Sequence, residues 1–229
     1  MVAAERHELD GVRAAVVPAC PERSVVNCVC YDSAAQLAAA LDDLAAIYDD
    51  AGIHAWTVWV PPADREAASL LEEGGHVLDA APEAMGMDLT GAERPRAGLD
   101  WTRPADPGVL GPLNDRAYGY HGSFERALAG LPADALTVYS ADLDGKPASC
   151  LVTLECGSDC HVTLVATLPE ARGRGLAGAL LGHALADARE RGLETSSLVA
   201  TKAGRPLYER LGYRGVGAVE MWERRRRRG

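Results

Sequence analysis

The run Pro169-Glu170-Ala171-Arg172-Gly173-Arg174-Gly175-Leu176-Ala177 sits between an apolar strand pattern ending at Thr167 and a long helical pattern opening at Leu176. A strand that passes through a glycine-rich turn into a helix belongs to a layered α/β architecture. Glycines here let backbone N–H groups face outward at the helix start, and the two arginines add positive charge. The turn therefore reads as a phosphate seat. Gly173, Gly175 and Gly178 also meet the dinucleotide spacing G-x-G-x-x-G, but they begin several residues past the strand end. No acidic residue closes the following strand either, which argues against a dinucleotide fold. A P-loop does not fit, because no Gly-Lys-Ser/Thr ending follows.

At 229 residues the chain can form one large domain or two small ones. Its net charge of -10 opposes a broad nucleic-acid-binding surface, since phosphate backbones are held by positive charge. The one basic cluster, Arg224 to Arg228, reads as a solvated tail. If it bound nucleic acid instead, binding would be salt-sensitive and lost with the tail. No run of 18 apolar residues occurs, so no transmembrane helix is expected. Glu5, Arg6, His7, Glu8 and Asp10 interrupt any signal-peptide core. The six cysteines form no Cys-x-x-Cys pair, so no metal site is expected. Cys28 and Cys30 read as buried thiols on one strand face, and free thiols suit a cytoplasmic protein.

Periodicity divides the chain into two halves. In the first, a strand at 25–31 precedes a helix capped by Asp32 or Ser33 and running to Tyr48, with Leu37, Leu41, Leu44, Ala45 and Tyr48 as its apolar stripe. A strand at 55–60, a helix opened by Asp64 and closing strands at 77–78 and 85–89 follow. In the second half, helices at 112–118 and 123–129 precede a hairpin, 137–141 with 148–154, around Asp144-Gly145. Then come a strand at 161–167, the turn, a helix at 176–191, a strand at 195–200, a helix at 205–211 and a strand at 217–222. Leu70-Leu71-Glu72-Glu73-Gly74-Gly75-His76 echoes Leu207-Tyr208-Glu209-Arg210-Leu211-Gly212-Tyr213 after a like order of elements. A degenerate duplication would explain this, with opening strands missing from the first copy.

Residues 161–213 resemble the core of the GNAT superfamily of N-acetyltransferases. Arg172, Gly175 and Ala177 meet its Gln/Arg-x-x-Gly-x-Gly/Ala signature, and Leu207-Tyr208 with Gly212-Tyr213 meets its Leu-Tyr-x-x-x-Gly-Phe/Tyr element. The resemblance extends over roughly 99–223 and more faintly over the first half. It implies an α/β (α+β) fold: a mixed, mostly antiparallel sheet flanked by helices, in two lobes. The expected division is a truncated lobe at 1–92, a catalytic domain at 97–224 and a basic tail at 225–229.

The implied activity is transfer of an acetyl group from acetyl-CoA to a primary amine of a small molecule, peptide or protein. For the cofactor, the implied contacts are Arg172, Gly173, Arg174, Gly175, Leu176 and Ala177 at the pyrophosphate. Leu164, Val165 and Thr167 would flank the pantetheine arm, with Thr201 and Arg205 across a splay between strands 161–167 and 195–200. Tyr208 is the implied acid for the departing thiolate, and the Val165 N–H would polarise the carbonyl. Glu155 and His161 are candidate bases. Tyr118, Tyr120, His121 and Phe124 would line the acceptor pocket.

Two departures stand out. Thr201 and Gly204 replace the family's common Asn-x-x-Ala, and the first half lacks the signature and carries Leu71 where the echo would place Tyr208. The first lobe is therefore expected to be structural. Neither a membrane nor a nucleic-acid partner is expected, and both monomer and homodimer fit. The rival reading is a non-catalytic acyl-CoA-binding or structural protein of the same fold.

Overall fold

The computed structural model describes residues 4–95, 98–128 and 136–226. Ala129 and the last three residues of the expected tail lie outside them. The first stretch runs β1 (Glu5–Leu9), β2 (Val12–Val16), β3 (Cys28–Tyr31), α1 (Ala34–Asp50), β4 (Ala55–Val60), α2 (Arg65–Glu73), β5 (Val77–Ala80). Next come β6 (Glu83–Asp88), β7 (Trp101–Thr102), α3 (Leu110–Tyr118), α4 (Ser123–Leu128), β8 (Thr137–Leu143) and β9 (Lys146–Cys156). The chain ends with β10 (Asp159–Thr167), α5 (Leu176–Glu190), β11 (Thr195–Ala200), α6 (Arg205–Arg210), β12 (Arg214–Ala218) and β13 (Glu220–Arg225).

These elements form two lobes, each a mixed and mostly antiparallel sheet with helices on it, as the resemblance implied. One sheet has the order β5-β13-β4-β3-β2-β1; the other has β12-β6-β11-β10-β9-β8-β7. The two orders correspond strand for strand except for β7. In each, a helix crosses between two parallel strands: α1 joins β3 to β4, and α5 joins β10 to β11.

The division differs from the expected one. One compact unit comprises the residues up to Pro82 together with those from Ala218 onward, and the other is Glu83–Gly217. The strands flanking the boundary exchange places. β6 pairs with β11, burying Met85 in the second unit's core, while β13 pairs with β4 and β5 and places Trp222 in the first unit's core. Residues 85–89 thus do not close the first half, and the single strand expected at 217–222 is divided between the end of β12, which borders the second sheet, and β13, which belongs to the first. Arg224 and Arg225 belong to β13 rather than to a tail, and Arg226 pairs with Asp49. The first lobe also has its opening hairpin. Asp10-Gly11, with Gly11 at φ 67, turns β1 into β2 as Asp144-Gly145 turns β8 into β9.

Local signals otherwise act as read. Ser33 caps α1 by accepting from Gln36 N–H, and Asp64 caps α2 by accepting from Ala67 N–H. The echo is a backbone fact: His76 N–H donates to Leu71 O as Tyr213 N–H donates to Tyr208 O, with Gly75 and Gly212 both at positive φ. Cys28 and Cys30 do share a face of β3, but Val29 points into the core, leaving Cys28 half-buried and Cys30 exposed. Among the described residues no helix is long and apolar enough to cross a membrane.

Candidate functional site

β10 carries the deformation that opens the site. Its parallel pairing with β11 runs from Asp159↔Thr195 to Val162↔Leu198 and stops, although β10 continues to Thr167 and β11 to Ala200. On its other edge the register with β9 slips between Thr163 and Ala166, where Leu164 adopts φ 50. Such a bulge bends a strand and breaks its ladder. The expected splay is present.

Beyond the splay, Gly173 (φ 74) and Gly175 (φ 78) shape the turn. A Cβ at either would meet nothing within 4 Å, so glycine serves the backbone conformation here and not a tight contact. Gly175 is the N-cap of α5 and no side chain caps that helix, in contrast with Ser33 on α1. The uncapped start and its dipole open on a cavity of about 620 Å³. That volume falls within the roughly 300–1,000 Å³ common for small-molecule sites.

The cavity brings together Tyr118, Val165, Thr167, Arg172, Gly173, Gly175, Leu176, Ala177, Thr201 and Tyr208 of the expected residues. Tyr208 is buried, and burial, reinforced by Tyr118, pushes its phenol up to about 12. It stays protonated across the neutral range and can donate. Arg172 spends donors on backbone carbonyls, 2.8 Å from Ala117 O and 3.3 Å from Thr167 O, which ties the end of α3 to the turn. The Tyr118 hydroxyl donates to Val165 O at 2.6 Å. Thr201 Oγ1 accepts from Gly204 N–H at the start of α6.

Other expected residues fall elsewhere. Glu155 pairs with Arg191 at 2.8 Å, and Arg205 pairs with Glu83 and Glu209, so neither lines the cavity. His161 lies four residues before Val165, its Nδ1 3.1 Å from Ser197 Oγ, and burial lowers its pKa against the opposing pull of Asp159. Arg174 is exposed and outside the lining. Leu164 packs on the core around Leu110 and Val138. His121 is an exposed turn residue at φ 49. Tyr118, Tyr120 and Phe124 do form the expected aromatic row, with ring centroids 5.6 and 5.2 Å apart, but only Tyr118 reaches the cavity.

Sequence reasoning missed Ala117, Ala171, Gly178, Ala203, Gly204, Leu207 and Arg210 in the lining. Gly178 was already part of the G-x-G-x-x-G spacing. A Cβ there would press on Leu207 Cδ1 at 3.2 Å, so the glycine lets α5 approach α6.

Residues 134–215, which include the bulge, the turn and Tyr208, match the family model described as an acetyltransferase (GNAT) domain. The segment is a GNAT-fold acetyltransferase domain. Solved structures extend the GNAT likeness to both lobes at the level of fold. A GCN5-related N-acetyltransferase from Kribbella flavida has 15% identity and a TM-score of 0.71, over 96% of this chain and 89% of that one. A functionally unknown conserved protein from Staphylococcus epidermidis has 13% identity and a TM-score of 0.69, over 99% and 96%. A tandem GNAT protein from the clavulanic acid biosynthesis pathway has 13% identity and a TM-score of 0.62, over 95% and 79%. No curated protein matches the sequence.

The first GNAT-like lobe carries no equivalent seat among its described residues. Its β3 passes directly into a helix whose first turn is capped by Ser33, and Leu71, at the place of Tyr208, is wholly buried in that lobe's core.

Proposed function

We propose that the protein is an acetyl-CoA-dependent N-acetyltransferase acting on a primary amine, with one working site in the GNAT domain at 134–215. The observation that carries this reading is one cavity joining an uncapped, glycine-shaped helix start to a buried, protonated tyrosine. The residues fit the cofactor. The N–H groups of Gly173 to Ala177 would hold its pyrophosphate, and the free edge of β10 beside Val165 and Thr167 would take its pantetheine arm.

When bound, acetyl-CoA supplies an activated thioester. The acceptor nitrogen would form the new C–N bond as the C–S bond gave way. Tyr208 would give its proton to the departing sulfur and recover one from solvent. The Val165 N–H would polarise the carbonyl. With Glu155 held by Arg191 and His161 outside the lining, the amine's proton leaves through water.

The test is mass detection of acetylated product across a panel of small amines and peptides with acetyl-CoA. Amine-dependent product formed by the parent, and reduced about 100-fold in kcat by Tyr208→Phe, is the expected result. Cofactor binding without product on any amine would favour the non-catalytic reading.

A further inference from the structure

The Tyr208 ring rests on a residue with no side chain. Gly204 is the N-cap of α6, four positions before Tyr208. A Cβ at 204 would stand 2.9 Å from Tyr208 Cε2 and 3.5 Å from Cζ. Carbon atoms in comfortable contact lie about 3.5–4.0 Å apart, so an alanine would push the ring away. The Gly204 backbone is itself held in place. Its N–H donates to the carbonyl and hydroxyl oxygens of Thr201, each at 3.1 Å, and its carbonyl accepts from Leu207 N–H at 2.9 Å.

A second wall is equally fixed. The Tyr213 ring packs edgewise on Tyr208 with centroids 6.0 Å apart. Ser196 Oγ donates to Cys160 O at 2.7 Å, so its bond with the Tyr213 hydroxyl, 2.6 Å long, has Tyr213 as donor. Tyr213 is thereby pinned to both β10 and β11. Tyr208 thus meets both Gly204 and this anchored ring.

We propose that Gly204 is a positioning residue that sets where the Tyr208 hydroxyl stands in the cavity, an inference resting on the acetyl-transfer reading above. Position 204 has no methyl, and the tyrosine occupies the space. Displacing a catalytic group by about 1 Å can cost about 100-fold in rate, whereas cofactor affinity depends mainly on the turn at 172–178.

The experiment compares the full chain with Gly204→Ala, Tyr208→Phe and the double variant. Expected is a fall in kcat of at least about tenfold in Gly204→Ala with the acetyl-CoA KM within about threefold, and no further fall when Gly204→Ala is added to Tyr208→Phe. An equal fall in both backgrounds would overturn the proposal. A readout independent of turnover is the 13C resonance of Cζ-labelled tyrosine. The Tyr208 signal, identified by its loss in Tyr208→Phe, should move in Gly204→Ala, and by more than the Tyr213 signal. An unmoved Tyr208 signal would overturn the proposal even if the parent acetylates nothing, a result that would sink the functional reading separately. Melting of each variant within a few degrees of the parent shows that the fold is intact.

Discussion

Single residues carry the turn and the proposed acid. Gly175 at φ 78 has open space where a Cβ would go, so Gly175→Ala tests conformation without a clash. The left-handed conformation costs an L-residue roughly 1–2 kcal/mol. Urea unfolding of the alanine variant should show that loss, and the acetyl-CoA KM should rise about tenfold as the N–H groups turn from the cavity. Tyr208 makes a different demand. With its phenol raised to about 12 by burial, it holds its proton throughout the range in which the protein would be assayed. The kcat profile should therefore show no falling basic limb between about pH 7 and pH 10. A limb in that window that disappears in Tyr208→Phe would contradict the assigned role.

At the scale of elements, the ends of α2 and α6 show how one backbone device serves two purposes. Both close with the same N–H to carbonyl bond, yet the first delivers His76 where the second delivers Tyr213. His76 is buried edge-on to Trp56, 4.6 Å between centroids, and burial, aided by Arg224, lowers its pKa to about 4 from 6.5. The sign follows from proton counting. Between those values the unfolded chain binds the proton and the folded one does not, so stability is full above pH 6.5 and falls as pH drops toward 4. The interval corresponds to about 3 kcal/mol. His76→Phe should flatten this part of the stability profile in denaturant titrations, and an unchanged slope would show that other groups cause it. Elements of this kind were legible because their signals are local: Ser33 and Asp64 as caps, Asp144-Gly145 as a turn, and two matched motifs around Tyr208. The β1–β2 hairpin carried the same Asp-Gly signal at 10–11 but lies among charged residues that hide its strand pattern. The Gly204 contact was not legible at all, because the closeness of a ring to a Cα has no sequence pattern.

At the scale of the whole molecule, the exchange of β6 and β13 matters most, and it was the part least open to sequence reasoning. A strand near 85–89 could be found by its apolar pattern, and 217–222 was read as one strand where the chain has β12 and β13, but pairing partners depend on long-range register that no local signal records. The exchange makes a strong prediction about fragments. A piece spanning 97–224 lacks β6, so β11 loses its antiparallel neighbour and the core loses Met85 and Leu89. It should melt without cooperativity and bind no coenzyme A by calorimetry. A piece spanning 83–218 keeps every strand of its sheet and should melt cooperatively. Equal behaviour of the two fragments would refute the strand assignment. The central claim, one working acetyl-transfer site in the lobe bearing the Arg172–Ala177 turn, is met most directly by steady-state thiol release from acetyl-CoA by the full chain with and without amine. The expected result is saturable, amine-dependent release that Tyr208→Phe lowers about 100-fold in kcat. Release that ignores the amine, or that Tyr208→Phe leaves unchanged, would contradict it.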